Sequence, residues 1–176
     1  MNETLDIVGS SIIGGFILIM LIGVTLNYSS KNQETKLSEI SQYSMASVGG
    51  IVSNDFDKLG YRVSGNKILS ITSNSISFLG DINNDGTADT ISYSTVQQNN
   101  TLNLKRYVGN SKSSFWIFPI QSLKINGIDS SGNSTFTINN IKGISVSIVL
   151  SQQTISNSQT NVGAFWERTF YPKNLK

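Results

Sequence analysis

The chain has 176 residues, 13 Lys and Arg against 11 Asp and Glu, and a formal net charge of +2. A charge that small and that spread out does not point to nucleic acid. The sequence holds no cysteine and no histidine, which excludes disulfides, Cys/His zinc sites, thiol nucleophiles and any triad with a histidine base.

Met1 to Asp6 carries Glu3 and Asp6 and no basic residue. A secretory signal needs a basic start, a shorter apolar core and a small-residue cleavage site. An uncleaved anchor is therefore expected. The anchor is Ile7 to Leu26, IVGSSIIGGFILIMLIGVTL, which is uncharged. It matches the number of residues, about 20, that an α-helix needs to cross a hydrocarbon core. Ser10 with Gly14, and Ser11 with Gly15, form overlapping small-xxx-small pairs, and Gly9 adds to that surface. Small residues let helices approach closely in lipid; glycine is also simply common in membrane helices. Lys31 and Lys36 follow the span, but long translocated domains respond weakly to a few charges. A domain exported beyond the membrane is the expectation.

The helical pattern runs on past the membrane. Leu37, Ile40, Ser44, Val48, Ile51, Val52, Phe56 and Leu59 recur at spacings of three and four, the stripe of one helical face. Asp55 and Asp57, two apart, are assigned to solvent. Gly49-Gly50 implies a bend or a close packing contact, and Gly60 is a suitable C-cap. A continuous helix from Leu5 to Leu59 would be about 80 Å long. The expected organisation is a transmembrane segment, 1–30, its amphipathic continuation, 31–60, and a β-rich domain, 61–176.

Beyond Gly60 the period changes to two. Strands are expected around Ile76 and Phe78, Ile91 and Tyr93, Leu102 and Leu104, Phe115 to Ile120, Phe136 and Ile138, Ile144 to Leu150, and Ala164 to Tyr171. Polar clusters separate them, the longest being a loop over Ser151 to Asn161. Pro119 lacks an N–H and implies an edge strand, a bulge or a break. Trp116 and Trp166 are expected in the core.

The sharpest local motif is Asp81-Ile82-Asn83-Asn84-Asp85-Gly86-Thr87-Ala88-Asp89. Asp81, Asn83, Asp85 and Asp89 place oxygens at positions 1, 3, 5 and 9, the Thr87 carbonyl falls at 7, and Gly86 sits at 6. A hard cation wants several oxygens at short range and a glycine that lets the chain turn sharply. The flanks read as strands and position 12 is Ser92, so this is no EF-hand. It is either a strand–loop–strand site for Ca2+ or a hairpin turn closed by its own Asx side chains. No other cluster suggests catalysis, and a non-enzymatic role is expected.

Four stretches together resemble the type IV pilin-like proteins, in particular the larger minor pilins and pseudopilins of type IV pilus and type II secretion systems. They are the membrane helix leading into IVSNDFDKLGYR (Ile51 to Arg62), ISFLGDINNDGTADTISYS (Ile76 to Ser94), TLNLKRYV (Thr101 to Val108) and RTFYPKNLK (Arg168 to Lys176). The resemblance covers most of the chain in order. It implies an α+β fold with a long N-terminal helix on an antiparallel sheet. It also implies a structural role in a filament assembled through that helix, with other pilin-like subunits, the membrane and an inner-membrane assembly machinery as partners. In that family a basic leader ending in glycine precedes the mature start, whose fifth residue is usually glutamate. Here position 5 is Leu5 and the sequence opens at Met1 without such a leader: either a leader precedes it, or this is a divergent relative that keeps Met1, in which Glu3 or Asp6 would take the glutamate's role. The rival expectation is a single-pass anchored β-domain that binds a cell-envelope ligand and never polymerises.

Overall fold

A computed structural model describes residues 2–109, 115–153 and 161–175. Among these residues one α-helix, α1 (Asn2–Asp57), is followed by nine strands: β1 (Ile68–Ile71), β2 (Ser75–Gly80), β3 (Asp89–Gln98), β4 (Thr101–Val108), β5 (Phe115–Pro119), β6 (Ser122–Ile128), β7 (Ser134–Thr135), β8 (Gly143–Gln153) and β9 (Asn161–Phe170). The strands make two antiparallel sheets, β1-β2-β3-β4-β5 and β7-β6-β8-β9. The fold is α+β, a long N-terminal helix packed against antiparallel sheets, an arrangement consistent with the pilin-like fold. The single sheet expected from the sequence is two.

The helix is uninterrupted over 56 residues, about 84 Å at 1.5 Å per residue. Its apolar first half is exposed; its last turns are the spine of the core. Met45, Val48, Val52, Phe56 and Leu59 are buried. Ile40, expected on the stripe, is exposed, while Ser41 and Met45 are buried in its place. The stripe is thus rotated at its start by about one position, with Leu37 and Ser38 half-buried and full burial beginning at Ser41. Phe56 joins the layers: its ring lies 5.1 Å from Phe78 on β2, 5.8 Å from Tyr93 on β3 and 5.1 Å from Phe170 on β9.

Gly49 and Gly50 play different parts. The helix does not break there. A Cβ on Gly49 would stand 2.6 Å from Nε1 of Trp166, whereas Gly50 faces open space. The missing side chain at Gly49 is what lets the β9 indole lie flush on the helix. Gly49→Ala is expected to cost about 1–3 kcal/mol by overpacking. Gly50→Ala should stabilise by about 0.5–1 kcal/mol through helix propensity. Urea denaturation of the full chain in detergent, following the signal of Trp166, separates the two. Equal effects from both would refute the contact.

Gly60 (φ +73) ends the helix, and its N–H donates to Leu79 O at 2.8 Å, fastening the turn to β2. At the β3–β4 hairpin Asn99 and Asn100 both take positive φ, as a two-residue turn of the right hand requires. Pro119 ends β5, an edge strand of its sheet. Directly after it, the Ile120 N–H donates to Leu102 O and the Gln121 N–H to Val149 O. The chain therefore crosses from one sheet to the other between consecutive residues.

Two strand expectations change. Phe136 and Ile138 do not form a strand: β7 ends at Thr135 and Ile138–Asn140 is a 3-10 turn. The turn sets Ile138 and Ile141 three apart, so both reach the core, while Phe136 stays exposed. In the expected loop from Ser151 to Asn161, Ser151–Gln153 extends β8 and Asn161 opens β9; residues 154–160 lie outside the described residues. Trp116 and Trp166 are half-buried and pack on the core.

Candidate functional site: the exposed helix and the charged seam at its far end

The apolar half of α1 presents Ile7, Ile12, Ile13, Phe16, Leu18, Ile19, Met20, Leu21 and Leu26, each more than half exposed. Such a surface cannot face water over this length, and the segment is long and apolar enough to cross a membrane. Its hydroxyls are satisfied within the helix. Ser10 and Ser11 donate to Ile7 O at 2.9 and 2.8 Å, and Thr25 donates to Leu21 O at 2.8 Å. That internal pairing suits a medium without water. Gly9, Gly14 and Gly15 have nothing within 4 Å of a would-be Cβ, so the small-residue faces are open. Glu3 and Asp6 lie exposed in the first turns.

At the other end of the helix, Asp55 is not solvated as expected but fully buried. Tyr93 and Arg106 are cross-strand neighbours on β3 and β4 and meet it together. Arg106 grips the carboxylate with both arms, Nε to Oδ2 at 2.6 Å and Nη2 to Oδ1 at 2.9 Å. The Tyr93 hydroxyl donates to Oδ2 at 2.5 Å. Burial first, then the adjacent Asp55 charge, push the Tyr93 phenol well above its ordinary pKa. Burial works against the charge on Arg106, but the Asp55 hydrogen bond and charge outweigh it and raise its pKa. A bidentate pair of this kind fixes angle as well as distance. It sets how the helix leaves the β-domain. The sequence did carry a signal: Asp55 lies three residues after Val52 and seven after Val48, on the apolar stripe itself. Asp57, two residues on, is exposed as expected, 3.9 Å from Arg168.

The acidic loop lies beside the same helix end. Asp81 is fully buried. Its Oδ1 accepts the Asp85 N–H at 3.1 Å; its Oδ2 accepts the Gly86 N–H at 3.0 Å and Arg62 Nη1 at 2.9 Å. Asp85 accepts the Thr87 N–H and hydroxyl on Oδ1 and the Asn83 amide on Oδ2. The Thr87 hydroxyl, its backbone N–H and Asn83 together hold the Asp85 carboxyl below its ordinary pKa. Asn84 and Gly86 take the positive φ that the turn needs. Lys58 Nζ donates to Ile82 O at 2.5 Å. The motif residues Asp81, Asn83, Asp85 and Thr87 are thus brought together, but mostly by bonding one another. Among the described residues no three carboxylates converge as a metal-binding set. On the side of a cation stands Asp89, whose Oδ2 is buried with no hydrogen-bond partner. The missed residue is Arg62, nineteen positions upstream of Asp81, a separation that no local motif could span.

Fold and site together define an α+β protein with a single N-terminal helix long and apolar enough to span a membrane, consistent with a single-pass membrane protein. Comparison with protein-family models, with curated proteins and with solved structures gives no match in any of the three.

Proposed function

We propose that the chain is a structural subunit, a minor pilin or pseudopilin, of a type IV pilus-like or type II secretion-like filament. It is stored as a single-pass protein of the cytoplasmic membrane with its β-domain exported, and it assembles through α1. The observation that supports this is the unbroken passage of one helix from a fully exposed apolar half into the core of the β-domain. A plain anchor can join its domain through any flexible linker. A helix that is both anchor and core spine transmits the packing of its apolar half to the position of the domain. Open small-residue faces at Gly9, Ser10, Ser11, Gly14 and Gly15 suit that lateral packing.

The chain has no cysteine, so Ser11→Cys gives a clean cross-linking probe in the native cell. Sheared cells should release the protein, and with a mild added oxidant the Ser11→Cys subunits should be released as disulfide-linked dimers, the largest product that one cysteine per chain allows. Retention of all of it with the membrane would defeat the filament reading and leave the rival, a solitary anchored β-domain. The rival has one observation in its favour, a shallow, open depression lined by Gly60, Arg62, Ser64, Lys67, Lys173 and Asn174. The alternative for the acidic loop is calcium on Asp81, Asn83, Asp85, Thr87 and Asp89, where any such ion has Arg62 as a competitor.

A further inference from the structure

The pattern from Asp81 to Asp89 asks for a cation, and the fold delivers one from within the chain. We propose that Arg62 is the counter-ion of the acidic loop: it holds Asp81 in place of a divalent metal and makes the order of the β2–β3 connection independent of calcium. This holds whether or not the chain forms filaments.

Three observations carry it. First, the carboxylate that opens the motif is committed. Asp81 is fully buried, and its oxygens accept Asp85 N–H, Gly86 N–H and Arg62. Calcium requires six to eight oxygens at about 2.3–2.6 Å. A guanidinium 2.9 Å from Oδ2 occupies that approach and repels any second cation, so a metal enters only after Arg62 leaves.

Second, Arg62 is held where it is. Its φ of 57 lies in the left-handed region, which a residue with a side chain keeps only when its surroundings over-determine it. The surroundings do so. Asp81 N–H donates to Tyr61 O at 3.1 Å, so the backbone beside Arg62 is bonded to the residue that its side chain grips. The guanidinium also lies over the Tyr61 ring, 5.1 Å from its centre.

Third, the loop is tied to the helix end by two further bonds, Gly60 N–H to Leu79 O and Lys58 Nζ to Ile82 O. A tethered cation of this sort meets its partner at a high effective concentration, whereas a free ion must be drawn from solution. Asp89 is the one member of the motif left out, with its buried Oδ2 unpaired, so it is the residue through which calcium would have to act.

The test uses the full chain in detergent, melted in excess EDTA and in millimolar CaCl2. The two wild-type midpoints should agree within about 1 °C. Arg62→Ala should melt several degrees lower in EDTA, and Arg62→Lys should recover part of the loss. Calcium titrated into wild-type protein in a calorimeter should give no saturable heat, a result that stands even if Arg62→Ala fails to fold. A calcium-induced rise of several degrees in the wild type, abolished by Asp89→Asn, would overturn the proposal. So would an Arg62→Ala chain that melts with the wild type.

Discussion

Asp55→Ala is expected to cost the β-domain about 3–5 kcal/mol, the usual penalty for removing one partner of a buried ion pair. The loss is not of one bond. It strands the Arg106 guanidinium, whose side chain is only 18% exposed, and the buried Tyr93 hydroxyl. The residual exposure of Arg106 lets water reach it in part and favours the lower half of that range. Asp55→Asn keeps the shape and one acceptor and should cost less. Asp57→Ala is the control, because its contact with Arg168 is exposed and 3.9 Å long; such pairs contribute about 0–1 kcal/mol. Chemical denaturation of the full chain in detergent measures all three. If Asp55→Ala and Asp57→Ala proved equal, the buried pair would not be holding helix to sheet. Joint replacement by apolar residues, Asp55→Leu with Arg106→Met, should recover much of the stability, since burying two charges is itself expensive.

Phe56→Ala is expected to cost a similar amount, about 3–5 kcal/mol, for a different reason. The Phe56 side chain is a point at which helix, first sheet and second sheet meet, through Phe78, Tyr93 and Phe170. Its removal opens a cavity between three elements, each of which is pinned by its own hydrogen bonds and cannot collapse inward. Phe56→Leu retains most of the volume and should lose well under half as much. Phe165→Ala, at a site 62% exposed, should change stability by less than about 0.5 kcal/mol. A Phe56→Ala midpoint within error of the wild type would mean that the sheets close on each other without the helix.

Much of this architecture was legible because it is local. The alternation of Ile144, Val146, Ile148 and Leu150 reads directly as a strand with one buried face, and all four are buried. The membrane span, the glycine cap at Gly60 and the Asn99-Asn100 turn are likewise written in neighbouring residues. What was not legible is mostly long-range. Strand β6 shows its alternation only over Leu123 and Ile125 before Gly127 takes the next inward place, and β1 hides because only its end residues Ile68 and Ile71 are buried. The division into two sheets depends on β6 pairing with β8 as well as with its neighbour β7. The acidic loop was visible as a turn, but its partner Arg62 was not. For Asp55 the place on the apolar stripe, three residues after Val52, decides its burial, and its spacing from Asp57 does not.

The uninterrupted helix makes the molecule a lever. A rod of about 80 Å with no hinge converts a tilt of about 10° in the bilayer into a sideways swing of about 14 Å at its distal end. Helices tilt to match the hydrocarbon thickness around them. The Asp55–Arg106 grip locks the β-domain to the rod's end, so the domain cannot stay upright while the helix leans. In a rod joined in this way, any lean of the apolar half is carried whole to the β-domain, with no joint between the two to absorb it.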